Sequence, residues 1–386
     1  MFTETQIKAF ENLKTPFYFY DIDLLTMTLD KLKSVSEKTE YKIHYAVKAN
    51  AQPKILKLIS SYGFGADCVS GNEIKAALEN GFSHDKIAFA GVGKTDEEIE
   101  LAIQNEIFSL NCESYPELEI IQQIAEKANK KAKIALRINP NLNPNTHHYI
   151  TTGLEENKFG INMWELEKLI SDLRSFKYLE LTGLHFHLGS QITDLSVFRS
   201  LCMKVNFIQN QLLKKQIKLP HLNLGGGLGI DYHKPDEHLI PNFELYFNIF
   251  RKFLEPIPGQ SVHFEPGRAI TGQCGSLISR VLFVKKGVTT DFAILDAGMT
   301  ELIRPALYQA FHKIENINAK DPGSMKKYDV VGPICESSDC FGKSVELPET
   351  RRGDLIAVRS AGAYGEVMSS SYNLRDKAGS YFSDEI

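Results

Sequence analysis

The sequence lacks a strong excess of charge of either sign. Its 44 Lys and Arg against 48 Asp and Glu leave a formal net charge of −4, which excludes the basic footprint of a nucleic-acid-binding domain. No apolar run approaches the ~20 residues needed to cross a bilayer, so no membrane partner is expected. The first twenty residues show no basic region followed by an apolar one, so no export signal is expected. Cysteine is scarce: six residues, at positions 68, 112, 202, 274, 335 and 340, without paired spacing. In a chain read as unexported they are reduced thiols of a cytoplasmic protein, not a disulfide framework. Internal repeats and low-complexity tracts are missing too. What is present, 386 residues of which 43% are hydrophobic and 24% charged, is the composition of a folded globular chain with room for two or three domains.

Short β-branched or aromatic runs alternate with longer amphipathic stretches. The expected strands are Lys42–Val47, Gly65–Val69, Lys86–Ala90, Ile107–Asn111, Lys133–Ile138, Leu181–His187, His221–Leu224 and Ser261–Phe264. Helical patterns lie between them, and Ser70, Thr95 and Ser114, each followed by Glu at the third position, resemble capping boxes opening three of these helices. Strands alternating with helices imply parallel pairing, and eight such units predict an α/β fold, a (β/α)8 barrel over 25–265. Beyond Pro256-Ile-Pro-Gly259 short strand-like runs with turn residues dominate, interrupted by one helical stretch at Arg304–His312. This reads as a C-terminal antiparallel β-domain, 266–386, that also takes in 1–24 through the strand-like run Phe17–Tyr20.

Barrels place their chemistry at the C-terminal ends of the strands, and the chemically suggestive residues fall there. The first expected strand runs into Lys48, the second into Asp67, the sixth into His185 and His187, the seventh into Gly225–Gly229, and the eighth into Glu265-Pro266-Gly267-Arg268. Lysine at a barrel mouth can act as a carbonyl-binding nucleophile, or be a solvated loop residue. The glycine run suits main-chain contact with a phosphate, or is a plain turn; no Lys-Ser/Thr follows as a Walker loop requires. Two histidines spaced by two share one strand face, which fits a metal pair, or one packed ring beside one that covers a planar ligand. Glu265 could face a cationic ring nitrogen and Arg268 a carboxylate, or the two could form a local ion pair. In the second domain Arg304–Tyr308, Cys335–Asp339 and Ser360–Gly365 stand out. Cys335 and Cys340 lack the further Cys/His pair of a zinc finger, and no metal is expected. Cys335 beside two acids would tend to keep its proton.

The ordered strings Tyr45-Ala-Val-Lys-Ala-Asn50, His185-Phe-His-Leu-Gly-Ser-Gln191, Gly225-Gly-Gly-Leu-Gly229, Glu265-Pro-Gly-Arg268, Arg304-Pro-Ala-Leu-Tyr308, Gly332-Pro-Ile-Cys-Glu-Ser-Ser-Asp339 and Ala361-Gly-Ala-Tyr364 resemble the fold-type III pyridoxal-phosphate decarboxylases. The closest resemblance is to the branch acting on diaminopimelate. It implies a barrel of the alanine-racemase kind plus a β-domain, pyridoxal 5'-phosphate as cofactor, and conversion of meso-2,6-diaminopimelate to L-lysine and CO2. By resemblance Lys48 carries the cofactor and His187 stacks on its ring. Asp67, Ser190, Gly226, Gly227, Pro266, Gly267, Arg268 and Tyr364 surround it, and Glu265 pairs with the pyridine nitrogen. Arg268, Arg304, Tyr308 and Tyr364 hold the substrate, the first three through its distal carboxylate. Glu336 accepts the distal ammonium and Cys335 donates the proton, both supplied by the other subunit of a homodimer. The alternatives are a carboxynorspermidine, ornithine or arginine decarboxylase of the same fold type, a metal-dependent barrel hydrolase using His185 and His187, and a non-catalytic pyridoxal-phosphate binder.

Overall fold

The computed structural model describes residues 2–142 and 158–386. The chain forms two compact units. One comprises Leu29–Gly229 and Asn242–Gly267; the other takes the residues up to Thr28, Ile230–Pro241 and Arg268–Ile386. The second unit thus receives Ile230–Pro241, a segment that lies inside the stretch expected for the barrel.

Sixteen strands are described. β1 is Phe17–Tyr20; β2 to β9 are Lys42–Ala46, Gly65–Cys68, Ile87–Phe89, Ser109–Cys112, Ala132–Arg137, Leu179–His185, His221–Asn223 and Ser261–Phe264; β10 to β16 are Gly275–Lys285, Asp291–Leu295, Ile314–Asn316, Met325–Val331, Cys340–Pro348, Leu355–Val358 and Gly379–Phe382. Strands β2 to β9 pair in parallel in chain order and close into a barrel. The ring is sealed where Lys42 and Ile43 of β2 meet His263 and Phe264 of β9. The expected (β/α)8 barrel is therefore present, with all eight strands in the expected places and ends differing by a residue or two.

Helix Tyr115–Ala128 shows why the covering elements form. Ser114 accepts from the Glu117 N–H, a proline sits in the first turn, and Leu118, Ile121 and Ala125 turn one buried face inward. It ends at Asn129 in the left-handed region, φ 50. Of the three expected capping boxes, only Thr95–Glu98 is reciprocal. At Ser70 and Ser114 the serine caps, but Glu73 and Glu117 reach one residue further back, to the N–H of Val69 and of Glu113. Each acid thereby ties the strand end to the helix start.

In the second unit the sheet order is β12-β15-β10-β11-β13-β14, and β1 pairs with both β10 and β16. The N-terminal strand thus joins this sheet, as expected. Pairing is mainly antiparallel, but β1 with β16 and β11 with β13 run parallel. Phe10, Phe17, Phe19, Ile278, Leu355 and Ala357 form its core. Burying each such large side chain contributes roughly 1.5–3 kcal/mol. All six cysteines are free thiols; Cys335 is exposed and Cys340 half-buried, the other four buried. Among the described residues no helix is long and apolar enough to cross a membrane.

Candidate active site

At the C-terminal end of the barrel, β2 runs into a 3-10 turn, Val47–Ala49, that presents Lys48. Its Nζ lies 2.7 Å from Oδ2 of Asp67 on neighbouring β3. The other carboxylate oxygen, Oδ1, is buried and has no partner among the described residues. Burial, with Glu265 nearby, raises the Asp67 carboxyl to about 6 against the opposing pull of Lys48. A buried half-satisfied acid costs free energy unless a further group completes it.

Glu265 follows β9 and is held at both oxygens. His185 Nε2, at the end of β7, donates to Oε2 at 2.9 Å, and Asn223 Nδ2, at the end of β8, donates to Oε1 at 2.6 Å. Burial alone would raise its carboxyl; His185, through charge and hydrogen bond, and Lys48 outweigh this and hold it below the ordinary range. Glu265 is thus an ionised carboxylate in a dry setting. Asn223 also accepts the Gly225 N–H through Oδ1 at 3.0 Å, joining the clamp to the glycine turn.

That turn is packed hard against its neighbours. A Cβ on Gly225 would sit 2.3 Å from the Phe186 carbonyl, at φ +67, and one on Gly226 would sit 2.3 Å from the Glu265 carbonyl. Close backbone approach by the protein itself therefore demands glycine at both positions. The Gly226 N–H donates to His187 Nδ1 at 3.3 Å. Burial, with Arg137 and Lys48 next in effect, holds the His187 imidazole well below its ordinary pKa, so it is neutral. β7 ends at His185, and His187 lies beyond it in the following turn. The two rings therefore serve different partners, and among the described residues no group of three or more His, Cys, Asp or Glu could hold a metal ion. Ser190 and Gly227 are half-buried in adjoining turns; Pro266 and Gly267 are buried directly after Glu265.

The second unit carries the other candidates. Arg268 and Arg304 are each 4% exposed. Both donate through Nη1 to the hydroxyl of Tyr232, Arg304 at 2.8 Å. Two guanidinium groups sharing one oxygen repel each other, so this pairing needs a built environment. The Arg268 guanidinium lies 4.8 Å from the ring centroid of Tyr364, whose φ of 56 is the left-handed region. Tyr308 is half-buried at the end of helix Arg304–Tyr308. Cys335 and Glu336 are exposed. The Cys335 N–H donates to Asn373, and Glu336 accepts the Tyr372 hydroxyl at 2.9 Å. Asp339 is turned inward, accepting from the Met299 and Ile334 N–H groups. Of the two acids expected to flank Cys335, this one is committed to its own loop.

A family model described as pyridoxal-dependent decarboxylase, pyridoxal binding domain, matches residues 27–272. A barrel-type pyridoxal-dependent decarboxylase is therefore the class that fold and site define. The chain is 54% identical to a diaminopimelate decarboxylase of Bacteroides thetaiotaomicron over 98% of each chain. It is 40% identical to one of Aquifex aeolicus, over 94% of this chain and 85% of that one. It also superposes on the crystal structure of diaminopimelate decarboxylase from Helicobacter pylori complexed with L-lysine, with a TM-score of 0.90 at 40% identity, covering 98% of this chain and 93% of that one. The chain belongs to the diaminopimelate decarboxylase family.

Two contributors, Asn223 and Tyr232, were not singled out from the sequence, and a third, His185, was singled out without its partner. Asn223 stands two residues before Gly225, and its signal was a lone amide in an apolar strand. His185 read as a core histidine but orients Glu265. Tyr232 had no signal, because its role depends on two arginines far away in the chain.

Proposed function

We propose that this chain decarboxylates meso-2,6-diaminopimelate to L-lysine and CO2, the last step of lysine biosynthesis, with pyridoxal 5'-phosphate held by Lys48. The residues present suit that cofactor: a primary amine beside an acid with one unpartnered oxygen, a clamped carboxylate, a neutral imidazole and a glycine turn. When bound, pyridoxal phosphate supplies an electron sink for the pair left by the departing carboxylate. Lys48 would hold its aldehyde carbon, and Asp67 is placed to exchange a proton with the Lys48 amine across their hydrogen bond. Glu265, kept ionised by His185 and Asn223, would hold a proton at the pyridine nitrogen. His187 would lie on the ring as a neutral surface, and Ser190, Gly226, Gly227 and Gly267 would meet the phosphate.

The observation that carries the substrate reading is the pair of buried arginines on one phenol oxygen. The two ends of meso-diaminopimelate differ in chirality alone, so the enzyme must grip the end it spares. Arg268, Arg304 and Tyr308 would take the distal carboxylate; losing one such buried contact costs roughly 2–5 kcal/mol. Ornithine has no distal carboxylate and would leave this pair unmatched. Glu336 would accept the distal ammonium and Cys335 would return a proton to the decarboxylated carbon. Their exposure suits service to the site of a second copy in a homodimer. A cytoplasmic location would suit a biosynthetic role of this kind.

The test is CO2 release by cofactor-loaded enzyme from meso-diaminopimelate, ornithine, arginine and carboxynorspermidine in parallel. Turnover of the first far above the others is expected; preference for any other would overturn the reading.

A further inference from the structure

Tyr232 sits on Ile230–Pro241, a segment of the second unit that is pinned from several sides. Gln273 Nε2 donates to the carbonyls of Asp231 and His238 at 2.9 and 3.1 Å. Asp236 pairs with Arg359 at 2.9 Å and Lys313 at 3.2 Å. A tyrosine placed this firmly can act as a reference point for groups that touch it.

A phenol oxygen offers two lone pairs and one proton. Here both lone pairs are engaged, by Nη1 of Arg268 and Nη1 of Arg304. The hydroxyl can therefore act toward a third group only as a donor. Arg304 is further oriented by His312. The ring Nδ1 is 2.8 Å from the Arg359 carbonyl, which can only accept, so Nδ1 carries the proton. Nε2 is then the lone pair that accepts from Arg304 Nη1 at 3.0 Å. Burial, with Arg304 next in effect, lowers the His312 pKa to about 3, in keeping with a ring that stays an acceptor. Arg304 Nε is buried with no partner among the described residues. Arg304 is thus a buried cation solvated through Nη1 by two neutral acceptors, with a further N–H left to give.

We propose that Tyr232, supported by His312, is a specificity-determining positioning residue: its oxygen fixes Arg268 and Arg304 side by side so that together they fit one carboxylate. The neutral acceptor holds two like charges at one spacing without neutralising them. An aspartate or glutamate in its place would satisfy the arginines and remove their appetite for a ligand anion. The proposal rests on the reading that these arginines take the substrate's distal carboxylate.

The Arg268 and Arg304 guanidinium groups also lie 5.9 and 5.2 Å from the Tyr232 ring centroid, so Tyr232→Phe keeps the ring and both of these contacts and removes the shared oxygen. In the cofactor-loaded enzyme, the KM for meso-diaminopimelate and the inhibition constant of L-lysine, which retains the distal carboxylate, should each rise roughly tenfold or more. Inhibition by 1,5-diaminopentane, which has no carboxylate, should stay within about twofold, with cofactor retention unchanged. His312→Leu should shift the same constants in the same direction. In an Arg304→Ala background, Tyr232→Phe should weaken binding by a smaller factor than it does in the parent, because only Arg268 is then left for the hydroxyl to place. An unchanged L-lysine constant, equal weakening of L-lysine and 1,5-diaminopentane, or additive effects in the double variant would each overturn the proposal. A parent enzyme that retains cofactor but is indifferent to both meso-diaminopimelate and L-lysine would remove instead the substrate reading beneath it.

Discussion

Replacing His221 with leucine should make the protein less sensitive to acid. His44, His221 and His263 lie inside the barrel with Phe108, away from the Lys48 end. His263 Nδ1 is 2.8 Å from His44 Nε2, and His44 Nδ1 is 2.9 Å from the Lys86 carbonyl. That carbonyl fixes the direction of the chain, so Ser261 donates to His263 Nε2 at 2.7 Å. The His221 ring centroid lies 4.7 Å from that of Phe108, tilted by 43°; His221 is 3% exposed, and its Nε2 has no partner among the described residues. Burial, with His44 and His185 adding repulsion, lowers the His221 pKa from 6.5 to about 3. Above 6.5 the ring is neutral folded or unfolded and contributes no pH dependence. Below it the unfolded chain gains a proton that the folded ring refuses until about 3, so stability falls as pH falls across that window. At about pH 5 the loss is ~2 kcal/mol from this ring alone. Leucine has similar volume and takes up no proton in either state. Asp67 and Glu73, raised by burial to about 6 and about 7, act the other way and gain stability on acidification. Comparing variant with parent cancels them. Urea unfolding followed by circular dichroism at about pH 7.5 and about pH 5 should show the variant losing ~2 kcal/mol less than the parent on acidification. An unaltered difference between the two pH values would refute the reasoning.

Arg268→Ala should impair use of meso-diaminopimelate far more than cofactor retention, read as KM against cofactor absorbance after gel filtration; equal loss of both would move Arg268 to the cofactor. Mixing inactive Lys48→Ala and Cys335→Ala enzymes through dissociation and reassociation should restore about a quarter of parental activity if each site draws on two subunits of a symmetric dimer. No recovery from reassociated mixed dimers would confine each site to one chain. Asn223→Ala should lower stability by about 1–3 kcal/mol, since Glu265 Oε1 would then be left without its donor; calorimetry reads the cost, and an unchanged melting temperature would contradict the clamp.

Much of this was legible in the sequence because local patterns carry it. Alternating apolar strands and amphipathic helices announced a barrel, and strand ends located Lys48, Asp67, His187 and Glu265 at one mouth. Phe17–Tyr20 was expected in the second sheet because it is strand-like and precedes the first barrel strand in the chain, and it pairs there with β10 and β16. What stayed hidden depends on separation in the chain. The parallel pairing of β11 with β13 follows from the connection between them, which no residue pattern encodes. The histidine relay joins residues from positions 44 to 263, each of which reads alone as an ordinary core polar group. Tyr232 acquires its meaning from arginines 36 and 72 residues away.

In the proposed function Lys48 is the amine that carries the cofactor, and borohydride reduction can show whether it does. Reducing the pyridoxal-phosphate-loaded enzyme fixes the cofactor to whichever amine holds it, and peptide mass mapping then locates the mark. The expected result is a single modified peptide with the mark on Lys48 and none in Lys48→Ala. A mark on another lysine of the parent enzyme, or undiminished marking in Lys48→Ala, would contradict it.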